Sequence, residues 1–200
     1  MLSADDEDAA WMLKVAAGDR AAFAKLFDRH QARVVRFCQR FVGDAPRAEE
    51  LAQDVFIKLY KSAGRYQRTA RFQTFLFRVA TNTCLNELRR PGRAAEKVEA
   101  PVDDDTPGVI ERTPHHETPD QVLEGKDVER ALNLALAKMS DRERAAFTMC
   151  RFEGMAYRDI AEALEATEAA VKSLIHRASL QVLAHLDALK AGTMPAGSAA

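Results

Sequence analysis

Residues 139–178 read MSDRERAAFTMCRFEGMAYRDIAEALEATEAAVKSLIHRA, and the reading of this stretch decides the fold. Ser140 and Glu143 have the Ser-x-x-Glu spacing of a capping box, in which each side chain satisfies the other residue's free backbone N–H, so a helix begins there. Glu153-Gly154 closes it. Tyr157–Leu164 then reads as a short helix, Glu165-Ala166-Thr167 as a tight turn with Thr167 as N-cap, and Glu168 to about Leu189 as a longer helix. Short helix, tight turn and long helix are the plan of a helix-turn-helix, whose second helix lies in the major groove of DNA. At about 100° per residue, Val171, Ile175, Ala178, Val182, Leu186 and Leu189 fall on one apolar stripe. Lys172, Ser173, His176 and Arg177 are donor-bearing side chains on the other side, in the first half of the helix where groove contacts are made. The same pattern also fits an ordinary solvated face of an αα-hairpin, and Glu165 occupies the turn position where Gly is usual.

Upstream of this unit the character of the chain changes. Pro91 to Gly125 holds prolines at 91, 101, 107, 114 and 119, has almost no periodicity, and sets three basic residues against nine acidic ones. Such a segment cannot bury enough apolar surface to fold alone and reads as an acidic linker. Before it, helical spacing returns. Phe23, Leu26, Phe27, Val34, Phe37, Cys38 and Phe41 recur every three or four residues, and Gly43-Asp44-Ala45-Pro46 stops the helix they define. Leu51, Val55, Phe56 and Leu59 mark a second stripe; Phe72, Leu76, Val79, Ala80 and Thr83 mark a third. No sustained period-two alternation predicts a strand. The expected fold class is all-α, with two small helical domains joined by a flexible linker. Its expected layout is an acidic N-terminal tail over 1–10, a helical domain over 11–92, the linker over 93–125, the helix-turn-helix domain over 126–190 and a flexible tail over 191–200.

Two further surfaces stand out. Arg65, Tyr66, Arg68, Arg71, Phe72, Phe75, Phe77 and Arg78 crowd arginines and aromatics together in a chain with only 7% aromatic residues. Arginines neutralise phosphates and aromatic faces stack on unpaired bases, a mixture suited to single-stranded or unwinding nucleic acid. A wheel turns Phe72, Leu76 and Val79 inward and runs Phe75, Arg78, Asn82 and Arg89 along a neighbouring stripe. The plain alternative is that the phenylalanines are core and the arginines solvate a face. Ahead of this patch, the segment from Ala48 to Phe56 sets Glu49, Glu50, Gln53 and Asp54 opposite Leu51, Val55 and Phe56. That polar face fits either a basic protein partner or water.

The 200 residues carry 29 basic and 30 acidic side chains, a formal net charge of −1. The balance conceals a strongly positive stretch from Arg65 to Arg93, with seven arginines against Glu87 alone, beside the acidic linker. No stretch approaches the ~18 apolar residues of a membrane span, and the acidic start does not resemble a signal peptide, so a cytoplasmic protein is expected. Cys38, Cys84 and Cys150 are odd in number and without a CxxC, which argues against a disulfide framework or a zinc finger. His115-His116 with the linker acids is the single candidate metal constellation. It lacks a helix to fix its geometry, so no metal, cofactor or small-molecule substrate is expected and no enzymatic activity is assigned.

Several of these segments match one family in fixed order. AEELAQDVFIKLYK (Ala48–Lys61) followed by RFQTFLFRVATNTCLNELRR (Arg71–Arg90) resembles region 2 of the bacterial sigma-70 family, and Met139–Ala178 resembles its region 4. Two such regions with only a short linker are similar to the extracytoplasmic-function, or group IV, sigma factors of RNA polymerase. The resemblance implies a chain that binds core RNA polymerase and promoter DNA, with an anti-sigma factor as a further partner and a stress response as its setting. Residue by residue, it implies that Glu50, Leu51, Gln53, Asp54, Phe56 and Ile57 meet the clamp helices of the largest polymerase subunit. Arg65, Tyr66, Arg68, Arg71, Phe72, Phe75, Arg78, Asn82 and Arg89 fall in the segment that opens and reads the minus 10 element. Arg158, Lys172, Ser173, His176 and Arg177 fall with the helix-turn-helix that reads the minus 35 element. Phe75 stands where the family often has Trp, Asn86 where Asp is frequent, Ser140 where Pro is common and Leu174 where Arg is common; the wheel predicts that Leu174 is packed. The alternative weighed against a promoter-specificity factor is an autonomous helix-turn-helix regulator with residues 1–90 as a sensor or dimerisation domain.

Overall fold

The computed structural model describes residues 4–68, 70–90 and 125–191. The acidic linker up to residue 124, with His115 and His116, and the tail from 192 lie outside them. Among the described residues the elements are α-helices and one short 3₁₀ turn. Helix α1 spans Ala4–Ala16, α2 Arg20–Val42, α3 Ala45–Lys61 and α4 Phe72–Leu88. In the C-terminal part α5 spans Gly125–Lys138, α6 Asp141–Arg151, α7 Tyr157–Leu164 and α8 Glu168–Lys190. No helix among the described residues is long and apolar enough to cross a membrane.

Local chemistry sets the ends of these helices. Asp19 caps α2 by accepting from the N–H groups of Ala21 and Ala22 at 2.9 and 3.0 Å, as an N-cap carboxylate does for the orphan donors of a first turn. Gly43 then takes a left-handed conformation at φ 70° and donates its N–H to the Gln39 carbonyl, the glycine-dependent way of ending a helix. One residue later Asp44 caps α3 through the Arg47 N–H at 2.8 Å, with Pro46 in the first turn. A two-residue connection therefore folds α3 back along α2. The stripes meet as the spacing predicts: Leu26, Val34, Phe37, Cys38 and Phe41 from α2, and Leu51, Val55, Phe56 and Leu59 from α3, are buried. Helix α4 is buried over most of its circumference, including Phe72, Phe75, Leu76, Phe77, Ala80 and Cys84, which marks it as the central helix of the module.

One feature departs from the sequence expectation and another goes beyond it. Residues 4–10, read as a tail, belong to α1, whose Ala9, Met12 and Val15 are buried against the rest of the module. Moreover, the two modules lie against each other. One continuous core runs from Phe37, Phe41 and Phe77 to Ala145, Met149, Met155 and Ile160, while Leu136, Met139, Phe147 and Ala178 form a smaller cluster inside the C-terminal module. Polar contacts tie the junction. Arg144 of α6, only 2% exposed, donates to the Phe41 carbonyl at 2.8 Å. Glu153 receives the Arg33 guanidinium at 2.9 Å, its backbone carbonyl accepts from the Gln73 side chain at 2.8 Å, and the Arg40 guanidinium lies 3.8 Å from the Phe152 ring centre.

Candidate nucleic-acid interface

The capping box that starts α6 is formed in both directions: Ser140 Oγ accepts from the Glu143 N–H, and the Glu143 carboxylate accepts from the Ser140 N–H at 3.1 Å. Between α7 and α8 the chain turns at Glu165, which adopts φ 51°, a left-handed conformation that Gly would take without steric cost. Thr167 Oγ1 caps α8 by accepting from the Ala170 N–H at 3.1 Å. Val171, Leu174, Ile175 and Ala178 are buried, so Leu174 packs as the wheel predicts. Lys172, Ser173, His176 and Arg177 are exposed on the opposite side, with Arg158 exposed on α7.

These donors differ in their freedom to move. Ser173 Oγ donates to the Ala169 carbonyl at 3.2 Å. Arg177 Nε donates to Glu143 Oε1 at 2.8 Å, which ties α8 to α6. Burial pushes the Glu143 carboxyl up, but the hydrogen bonds from Arg177 and Ser140 outweigh it and hold the group below its ordinary value. Arg177 is thus partly a structural strut, and Lys172 and His176 are exposed beside it.

The arginine-rich segment forms a second surface. After the 3₁₀ turn Ala63–Arg65, Tyr66 donates its hydroxyl to the Ala70 carbonyl at 3.2 Å and closes a loop. Its ring lies 5.3 Å from that of Phe75 and 6.3 Å from that of Phe72. All three rings are buried, Phe75 at 5% exposure, because the loop folds over the start of α4 and closes the stripe on which Phe75 sits. Burial raises the Tyr66 pKa, and Asp5 nearby adds to the rise. What reaches solvent is largely positive: Arg65, Arg68 and Arg71 are exposed around the loop and Arg89 at the C-cap of α4, with the neutral Asn82 exposed on α4. The half-buried Arg78 lies over the Phe75 ring at 5.5 Å. Part of this charge is answered from within the chain. Arg71 approaches Asp159 of α7 at 3.3 Å and Asp5 at 3.9 Å, and Arg68 approaches Asp6 at 3.9 Å.

A third surface lies between α2 and α3. Of the residues expected there, Leu51 and Phe56 belong to the core, at 2% and 3% exposure, while Glu50, Gln53, Asp54 and Ile57 are exposed. Glu50 pairs with Arg47. Beside them opens an apolar groove of about 510 Å³, lined chiefly by Phe23, Phe27, Phe56, Ile57 and Tyr60. Phe23, Phe27 and Tyr60 were not among the expected site residues. The signal for them was present: Phe23 and Phe27 are four apart on α2, and Phe56 and Tyr60 are four apart on α3, so each helix carries its own pair on one face. The four rings pack edge to face in two pairs, with Phe23 and Tyr60 centres 5.1 Å apart and Phe27 and Phe56 centres 4.8 Å apart.

Comparison with known proteins joins these surfaces. The model of sigma-70 region 2 matches residues 26–94, which include the arginine-rich loop and all of the named groove residues except Phe23. The model of sigma-70 region 4 matches residues 129–182, which include α7, the turn and α8 as far as Val182. The ECF RNA polymerase sigma-E factor of Haemophilus influenzae is 30% identical over 86% of this chain and 90% of its own length. ECF RNA polymerase sigma factor SigM of Mycobacterium tuberculosis is 30% identical over 92% of this chain and 87% of its own length. RNA polymerase sigma-H factor of Pseudomonas aeruginosa is 29% identical over 86% and 90%. Among solved structures, CnrH in complex with the cytosolic domain of CnrY shares the fold at a TM-score of 0.65 and 21% identity, covering 92% of this chain and 99% of that one. The sigma factor RpoE of Bartonella quintana, in complex with the anti-sigma factor NepR, does so at 0.60 and 21%, covering 82% and 96%. With both regions in order and relatives matched over nearly their full length, the chain belongs to the ECF-type sigma factors of RNA polymerase.

Proposed function

We infer that the chain binds core RNA polymerase through the face of α3 and its groove, reads the minus 35 element with α8, and engages the minus 10 element through the arginine-rich loop and α4. The observation that carries this reading is the division of α8. Val171, Leu174, Ile175 and Ala178 fix the helix in the core, and Lys172, Ser173, His176 and Arg177 stand outward along its first turns, the geometry of a helix that enters a major groove.

At the polymerase face, Glu50, Gln53, Asp54 and Ile57 are the exposed contacts, and Leu51 and Phe56 hold the helix behind them. The Phe23, Phe27 and Tyr60 rings extend the apolar part. At the minus 10 element, Arg65, Arg68, Arg71, Arg78, Asn82 and Arg89 supply phosphate and base-edge contacts. Tyr66, Phe72 and Phe75 act from beneath, and a base stacks on Phe75 only once the loop above it shifts. In the closed arrangement α7 packs on the start of α4, so engaging both promoter elements at once requires the modules to part. Arg158 then joins α8 at the minus 35 element.

The protein is read as a cytoplasmic specificity factor without catalytic activity of its own. RpoE of Bartonella quintana, which shares the fold, is solved with the anti-sigma factor NepR, and an anti-sigma partner is part of the proposal. Runoff transcription tests the core of it. Transcripts from a given promoter are expected only when this protein and core polymerase are both present. Tight, specific duplex binding by the protein alone, with no complex formed with core enzyme, would overturn the reading.

A further inference from the structure

The start of α4 lacks a cap of its own. Arg71 occupies the N-cap position in an extended conformation and has no side-chain acceptor to offer the first-turn N–H groups. The acceptor comes instead from α1: Asp5 Oδ1 receives the Gln73 N–H at 3.2 Å. One turn further along the same face of α1, Asp8 is 3% exposed and its Oδ2 lies 2.7 Å from His30 Nε2, while Arg29 donates to its other oxygen at 2.8 Å. The His30 ring so fixed packs 5.3 Å from the ring of Phe72, the first residue of α4. Two carboxylates three residues apart on α1 therefore hold two consecutive residues of α4, one through its backbone and one through its ring.

The Tyr66–Ala70 hydrogen bond spans Arg68, and Arg71 lies between it and these anchors. We propose that Asp5 is a positioning residue for promoter opening: by capping α4 from another helix, it sets the height and direction in which Arg71 and the loop arginines face the DNA. The Asp8–His30 pair completes the brace. The assignment rests on the sigma-factor reading above, because the loop needs a fixed geometry only if it meets DNA. Asp5 also lies 3.9 Å from Arg71, so the competing role is charge masking, in which the carboxylate competes with phosphate. The two roles predict opposite effects of Asp5→Ala and different effects of Asp5→Asn. Asn retains an oxygen that accepts a backbone N–H and loses the charge, whereas Ala loses both.

The test uses the full chain with Asp5→Ala and Asp5→Asn, free and assembled with core polymerase, on a promoter from which the wild-type holoenzyme initiates. Positioning predicts that Asp5→Ala speeds hydrogen exchange at the Gln73 amide and slows open-complex formation by about five-fold, as loss of one N-cap allows. Complex formation with core enzyme should be unchanged, and Asp5→Asn should restore both measures to within about two-fold of wild type. Unchanged opening by Asp5→Ala would overturn the proposal, as would faster opening by both variants, the mark of masking. If wild-type protein forms no complex with core polymerase, the sigma reading itself fails. The Gln73 exchange rate still judges the cap in that case, and an unchanged rate in Asp5→Ala removes it.

Discussion

The guanidinium of Arg144 on α6 donates to the carbonyl of Phe41, 103 residues away near the end of α2, at 2.8 Å. It also donates to the carbonyls of Leu136 at 2.7 Å and, more weakly, of Ala137 and Met139, at the end of α5. The last carbonyls of a helix have no partner within it and carry the negative end of its dipole. One buried cation thus caps the C-termini of two helices, one from each module. Burial lowers its pKa, yet an arginine of this kind stays charged.

Replacing Arg144 by Met should therefore cost about 3 kcal/mol or more, since several buried carbonyls lose their donor at once. Chemical denaturation measures it. Arg144→Lys should recover only part of the loss, because an ammonium cannot span both helix ends as the planar fork does.

Glu153→Gln should loosen the junction without unfolding either module. Its side chain is 5% exposed and pairs with the partly exposed Arg33, so about 1–2 kcal/mol of the contact between the modules should be lost. Small-angle scattering should record a larger radius of gyration, while circular dichroism keeps the wild-type helix content. An unchanged radius would show that the apolar part of the junction suffices alone.

Acid should weaken the C-terminal module through Glu143. Its carboxyl is held below the ordinary value of 4.5 in the folded chain, so its contribution is complete above that value and is lost as pH falls through the lower folded value. In a series of denaturation curves from pH 7 downward, Glu143→Gln should be less stable than wild type near neutrality and should lack this acid step.

Neighbouring residues on α8 should behave in opposite ways. Lys172→Ala should leave stability within about 0.5 kcal/mol of wild type and reduce transcription from promoters that depend on the minus 35 element, with a salt dependence of binding shallower by about one counterion. Leu174→Ala, at a position 7% exposed, should destabilise by about 2–4 kcal/mol by removing packed methyl groups. Melting curves together with promoter footprinting separate the two.

The helices of the helix-turn-helix were legible because capping and periodicity are local. Ser140 with Glu143, Thr167 at the start of α8 and the buried Leu174 all rest on residues within one or two turns of each other. What escaped the sequence acts over long separations. Asp8 is 22 residues from His30, and an acidic segment reads as a solvated tail until the buried partner of its carboxylate is known. Arg144 looks like any charged residue in the first turn of α6 until α2 arrives against it. The buried rings of Tyr66 and Phe75 mark the other limit: a wheel gives a side chain's direction on its helix, but not the loop that folds over it.

The core that passes without a break from Phe37 and Phe77 to Met149 and Ile160 gives the junction the character of a subunit interface within one polypeptide. If the gene were split within the codons for residues 91–124, each half would carry an apolar face shaped by the other. Co-expressed halves should find each other and co-purify as a heterodimer, held at the surface that the intact chain keeps to itself.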